Sequence, residues 1–258
     1  MPGPPAADGG IVKKRDGFLA GLAIIVFWQI SALIIDRNIL PSPLIVIQIF
    51  FKELFGGDML EHAAASLWRV FASMLLSVAL AAPAGLILGQ SQRLNQLFSP
   101  VIYLLYPIPK VVLVPILLLF FGVGDLSKIL IIFMILFFQI LVLVRDQAAS
   151  LPVELLQSVR SLGAGRRALF RFVYLPASLP AILTALRQSV GTAVAVLYIA
   201  ELIATQRGLG YYIYFNGSTL LDYPVMYAGV LAMSLLGLGL YFAVDWMEHR
   251  LCKWQFVK

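Results

Sequence analysis

Three ionisable side chains stand inside long apolar runs: Lys110, Arg187 and Glu201. A charge at depth in a bilayer is costly, so each is a candidate for meeting a solute, closing a gate or holding a structural partner. Lys110 follows Pro107 and Pro109 and lies near the middle of its run. Either its ammonium snorkels or satisfies a carbonyl freed by those prolines, or it lines a solute route. Arg187 and Glu201 lie toward opposite ends of one run, where a structural ion pair or a gate is favoured over substrate contact. Between them, Gly191 with Ser189, Thr192, Ala193 and Ala195 predicts a close helix–helix contact.

Covalent chemistry has no comparable constellation. His62 and His249 stand alone near the ends of apolar runs, where a solvated role is expected. H-E-x-x-H, G-x-S-x-G and a phosphate-binding glycine loop are all missing from the sequence, so this chain is not expected to hydrolyse ATP or to be an enzyme. An intramembrane enzyme would need acid, nucleophile or metal-ligating residues facing one another, and only isolated ones occur. Carboxylate, thiolate and imidazole ligands do not cluster, which argues against a bound metal and against free metal ions as cargo.

The elements that must position these residues are membrane spans. Of 258 residues, 61% are hydrophobic and 12% charged, with a mean hydropathy of +0.93. A soluble domain carries about 25% charge. The class is therefore an all-α polytopic membrane protein. A net charge of +6 could suggest nucleic acid, but the 19 basic residues are scattered between apolar blocks, so membrane lipid is the expected surface partner and nucleic acid is not. Cys252 is the single cysteine, which rules out an internal disulfide.

Apolar runs at 18–35, 67–89, 101–121, 128–144, 181–204 and 226–244 predict six spans. Lys13, Lys14 and Arg15 ahead of the first run suggest a signal peptide, but no small-x-small site follows, so an uncleaved span is expected. The short run 44–55 ends in Gly56-Gly57-Asp58 and predicts a re-entrant or interfacial helix. Residues 1–15 form a disordered cytoplasmic tail, and 16–258 form one transmembrane domain.

Orientation follows from Lys and Arg in the connecting segments. With the N-terminus inside, the cytoplasmic set is Lys13, Lys14, Arg15, Arg93, Arg145, Arg160, Arg166, Arg167, Arg171, Arg250, Lys253 and Lys258. The opposing set is Arg37, Lys52, Arg69, Lys128 and Arg207. That imbalance puts both termini and the polar stretch 151–176 in the cytoplasm. Polar faces at depth, such as Gln139, Arg187 and Glu201, need burial against protein or a wet cavity, which predicts a second copy of the chain.

The stretch 151–176 is itself a candidate site. Pro152 fits the first turn of a helix and Glu154 its positive end. Leu155, Leu156, Val159 and Leu162 recur at helical spacing, and Gly163 and Gly165 supply a stop. A second short run, 166–175, is expected to end at Pro176. The apolar stripe suits either a helix lying flat in the lipid headgroups or one docking in a groove on a soluble partner.

The residues here also carry a resemblance. Gln157-Ser158-Val159, then Gly163, then Val173-Tyr174-Leu175-Pro176 resembles the "EAA…G…I-x-L-P" loop of ABC importer permeases. Gln157 stands where glutamate is usual, and Ser158-Val159 replace two alanines. Ser66-Leu67-Trp68-Arg69-Val70, Tyr106-Pro107-Ile108-Pro109-Lys110 and Phe121-Gly122-Val123-Gly124-Asp125 are similar to the nitrate/sulfonate/taurine/bicarbonate branch. So are Leu186-Arg187-Gln188-Ser189-Val190-Gly191, Ala200-Glu201-Leu202 and Gly208-Leu209-Gly210-Tyr211.

The resemblance implies the type I ABC importer permease fold in the inner membrane. It makes the 151–176 loop the coupling helix, carried by Glu154, Leu155, Gln157, Ser158, Val159, Leu162, Gly163, Leu175 and Pro176. It implies two copies of an ATPase subunit, which hold the ATP and magnesium, and a periplasmic or lipid-anchored binding protein. This chain itself is expected to bind no cofactor. Tyr211 falls at the periplasmic mouth, where an aromatic belt is also expected. The implied cargo is a small anion or small polar solute, and the branch also contains carriers of thiamine-precursor pyrimidines. From another class, a membrane scaffold or ATP-independent channel, its loop resting on lipid, stays open.

Overall fold

The structure, a computed structural model, describes residues 14–35, 38–203 and 205–255. Residues 1–13 of the predicted disordered tail 1–15, and the charges of Arg37 and Lys258, lie outside them, whereas Lys14 and Arg15 of that tail are helical and not disordered. Among the described residues every regular element is helical: α1 (Lys14–Ile35), α2 (Pro43–Gly56), α3 (Met59–Gln90), α4 (Gln92–Leu105), α5 (Val114–Phe121), α6 (Asp125–Ala149), α7 (Val153–Ser161), α8 (Arg166–Leu169), α9 (Leu175–Leu202), α10 (Leu209–Tyr214) and α11 (Tyr223–Leu251).

Among the described residues four helical stretches are long and apolar enough to cross a bilayer: α3, α6, α11 and the continuous run Arg167–Leu202. A fifth crossing is possible if α4 and the Lys110–Phe121 stretch, bent by 76°, count as one span. The apolar part of α1, Leu19–Ile35, is shorter, so among the described residues length and composition support four or five spans, and the expected count of six is not matched exactly. The bend has a local cause. Pro107 and Pro109 withdraw two backbone donors and block helical geometry, and the chain restarts as a tight 3₁₀ turn at Lys110–Leu113. Pro115 breaks nothing, because it occupies the first turn of α5, where no donor is needed.

Helix α3 starts eight residues before the expected 67. Hydrophobic content sets what lies in lipid, while helix propagation depends on backbone bonding and continues through Ala63-Ala64-Ala65. Arg69 is therefore no loop charge but a buried helical residue, and Lys128 is buried in the first turns of α6.

The core is the contact of α3 with α6. Ser73, Ser77, Ala81, Gly85 and Gly89 repeat every four residues along one face of α3. A Cβ at Gly85 would stand 2.9 Å from the Leu141 carbonyl oxygen, and one at Gly89 would stand 2.6 Å from that of Arg145. The Ser73 and Ser77 hydroxyls return to carbonyls of their own helix at 2.6 and 2.7 Å, so they bury no open donor. Small residues here let two backbones approach, as expected where lipid gives no hydrophobic drive to association. Of the small residues predicted to make a close contact, Ser189 and Ala193 are buried, whereas Gly191 meets nothing within 4 Å of an added Cβ among the described residues and lies on an exposed face of α9.

Candidate functional site

Candidate residues fall into three places along the bundle. At one end, the chain leaves α6 and turns through α7. Pro152, in extended conformation, is the residue before the helix, one place earlier than expected. Glu154 in the first turn and Arg160 in the last both complement the helix dipole. Gly163 ends the helix with φ +83°, its N–H donating to the Arg160 carbonyl at 2.9 Å.

The expected single apolar stripe is divided. Leu156 and Val159 turn inward against Leu169, Val173 and Tyr174 in a small separate core. Leu162 projects, 85% exposed, and Glu154, Gln157 and Ser158 are exposed beside it. The Leu155 side chain lies outside what is described. Pro176 does not stop the second run. The chain widens into a π-turn over Phe170–Tyr174 and continues directly into α9, with Pro176 in its first turn. The wider turn accommodates the missing proline donor without a break. Leu175 keeps 40% exposure there.

Mid-bundle, Lys110 is 8% exposed and its ammonium donates to the carbonyls of Leu105 at 2.8 Å and Tyr106 at 2.6 Å. These oxygens end α4, and Pro109 stands where the helical donor to Leu105 would be, so that the Leu105 carbonyl takes only the Ile108 N–H at 3.3 Å besides Lys110. The third direction of the ammonium faces the Phe138 ring, 4.6 Å from its centroid. Beside it lies a cavity of about 370 Å³ lined by Tyr106, Lys110, Phe138, Gln139, Thr192 and Ile199. Gln139 Oε1 is buried there without a hydrogen-bond partner.

Arg187 and Glu201 sit in separate clusters. Arg187 of α9 pairs with Asp245 of α11, and Glu248 Oε2 lies 3.4 Å from the same guanidinium nitrogen. Thr184 donates to Glu248 Oε1 at 2.9 Å. At the far end of α9, Glu201 is fully buried. Its carboxylate accepts from Ser66 at 2.9 Å to each oxygen, from Arg69 at 2.7 Å and from the Gly210 N–H at 2.8 Å. Arg69 also binds Asp125 and the Arg207 carbonyl. Lys128 alongside donates to the Val123 and Gly124 carbonyls.

His62 is half-buried and not simply solvated: its Nδ1 accepts from the Gly208 N–H at 3.0 Å. Tyr211 stacks on Phe215, with centroids 5.4 Å apart, and leans against His62 at 5.9 Å. The neighbouring Tyr212 donates to Glu53 at 3.2 Å; burial, then the Glu53 charge, push its phenol well above the usual range. Sequence reasoning did not single out Ser66, Arg69, Asp125, Asp245 or Glu248 as site residues. One signal was available: His62, Ser66 and Arg69 recur at spacings of four and three, along one face of a helix.

Residues 81–253 match the family described as "Binding-protein-dependent transport system inner membrane component". The chain belongs to this family. It is a multi-pass membrane permease of the ABC transporter type. The permease is 31% identical over 244 residues to the taurine transport system permease protein TauC of Escherichia coli (strain K12), covering 92% of this chain and 88% of TauC. It is 30% identical over 237 residues to the formylaminopyrimidine transport permease protein ThiX of Halalkalibacterium halodurans, covering 91% and 93%. Its fold matches a chain of the inward-facing MetNI methionine ABC transporter with TM-score 0.66 at 20% identity, over 74% of this permease and 95% of that chain.

Proposed function

We propose that the permease is the membrane-spanning subunit of an ATP-driven importer, working as a pair of identical chains with two ATPase subunits and a binding protein outside. The observation that carries this reading is the α7 turn. Leu156 and Val159 hold it to the chain's own small core, while Glu154, Gln157, Ser158 and Leu162 point away, with nothing among the described residues to cover them. A helix resting on lipid would turn its apolar face outward. Here two of its apolar residues face inward and a mixed polar face is presented, which suits a protein groove better than acyl chains.

The Lys and Arg bias supports α7 and both termini on the cytoplasmic side, where the ATPase subunits would hold and hydrolyse ATP with magnesium, this chain binding neither. The cavity beside Lys110 supports a second copy. Its wall residues Tyr106 and Ile108 are 47% and 46% exposed, and the Gln139 oxygen has no partner, which hydrocarbon would not supply. A small polar solute crossing between two copies would.

For the cargo, we infer a small polar solute of the kind that TauC and ThiX are named for. These relatives differ in cargo at nearly equal identity, so identity does not choose between them. Lys110 gives little support to an anion preference, because its donors are engaged by backbone and ring. The test is reconstitution with the ATPase and binding protein in lipid vesicles, measuring uptake of labelled taurine and formylaminopyrimidine. ATP-dependent uptake of either supports the reading. Uptake that persists without ATP identifies a channel and removes it.

A further inference from the structure

We propose that Glu201, with Arg69 and Ser66, is a positioning residue for transport: it fixes α10 to the α3–α6–α9 core, so that this segment of the outer mouth moves with the core as one rigid body. The inference rests on the importer reading and adds to it which parts move together.

The backbone of 207–210 is bound at four consecutive residues by side chains from elsewhere. Arg69 takes the Arg207 carbonyl at 2.7 Å, and the Gly208 N–H donates to His62 at 3.0 Å. The Leu209 N–H donates to Ser66 at 2.8 Å, and the Gly210 N–H to Glu201 at 2.8 Å. The first N–H groups of a helix have no partners within it. Here they are capped by two other helices, so α10 cannot shift along α3 without losing several bonds together.

Steric fit points the same way. Gly208, with φ +125°, has a backbone conformation that side chains rarely adopt, and a Cβ there would stand 2.6 Å from an Arg69 guanidinium nitrogen. A Cβ on Gly210 would lie 2.7 Å from that of Glu201 and 2.8 Å from the Tyr198 carbonyl oxygen. The charges close as well. Glu201 and Asp125 balance Arg69 and Lys128, and Lys128 spends its donors on the turn before α6. Opening this cluster in the cycle would bare a buried carboxylate, which is costly, so the economical motion keeps it intact. Arg187 with Asp245, partly exposed and near the middle of α9, holds no such backbone segment among the described residues.

The experiment locks α10 to α3 in the complete transporter with its ATPase and binding protein in lipid vesicles. His62→Cys with Tyr211→Cys, whose rings lie 5.9 Å apart, is bridged by a short reducible thiol cross-linker. Cys252 is buried, and burial and Glu248 raise its thiol above the usual range, so it stays unreactive. Uptake of labelled taurine, or of formylaminopyrimidine where that is the solute carried, is expected to stay within about twofold of the same variant before linking. A loss of about tenfold or more that reduction restores overturns the proposal, because α10 must then move against α3.

A second arm uses Glu201→Gln and reads solute moved per ATP hydrolysed. A poorly folded protein loses both in proportion, whereas a displaced α10 lowers the ratio, by about tenfold on this proposal. An unchanged ratio in folded protein overturns it. Absence of ATP-driven uptake by the unmodified transporter overturns the importer reading, and this inference with it.

Discussion

Glu201 of α9 and Arg69 of α3 meet at 2.7 Å with both side chains almost wholly removed from solvent. A pair in that setting is unforgiving of single changes, because the survivor is left charged and buried. Arg69→Met is therefore expected to destabilise the permease by about 3–5 kcal/mol, and Glu201→Gln by less, since an amide can keep part of the hydrogen bonding. Combining the two should cost less than the sum of the singles. Thermal unfolding of the purified protein in detergent, run as a double-mutant cycle, measures this. Additive losses would mean that the pair contributes no coupling.

Gly163 is expected to separate coupling from folding. A Cβ placed there meets nothing within 4 Å, so the whole penalty is the φ of +83°. A non-glycine residue in that region costs about 1–2 kcal/mol, and asparagine tolerates it best. Gly163→Leu should re-aim α7 and abolish ATP-driven uptake while leaving the amount of membrane-inserted protein unchanged. Gly163→Asn should retain most uptake. Normal transport by the leucine variant at normal expression would remove α7 from the coupling role.

For Lys110 the expected phenotype is structural. Lys110→Met removes the charged donor from the Tyr106 carbonyl and leaves Leu105 only the Ile108 N–H, and hydrogen bonds to a charged group are worth about 1.5–3 kcal/mol each. The unfolding temperature should fall, Lys110→Arg should recover part of it, and the substrate concentration for half-maximal uptake should hold steady. A large rise in that concentration with unchanged unfolding would instead make Lys110 a solute contact.

Glycines on two faces should fail differently. Gly89→Leu drives a side chain into the Arg145 carbonyl and Ala148, and folded protein should be lost. Gly191→Leu has open space within its own chain, so the single chain should fold. If a second copy covers that face of α9, the pair should dissociate, which native mass measurement of the detergent-solubilised complex reads directly. An intact pair carrying Gly191→Leu would place the contact between copies elsewhere.

The sequence by itself determined the membrane class, the positions of the apolar runs and the α7 stop at Gly163. These depend on composition and on residues adjacent along the chain. It also raised the carbonyl-binding reading of Lys110, because Pro107 and Pro109, three places and one place before it, interrupt the helical bonding of the carbonyls nearby. Tertiary structure alone decided which charge meets which. Arg69 and Glu201 are 132 residues apart, and no local pattern distinguishes a loop arginine from one that a helix carries into the core. The same limit explains Leu156 and Val159, where helical spacing shows that residues share a face but not what that face meets. It explains the glycines too: Gly85 and Gly89 are packed and Gly191 is open, and the residues beside them in sequence do not tell the cases apart. Spacing along a helix is a property of one chain segment, whereas burial belongs to a pair of segments, and the pairing is set only when the whole bundle closes.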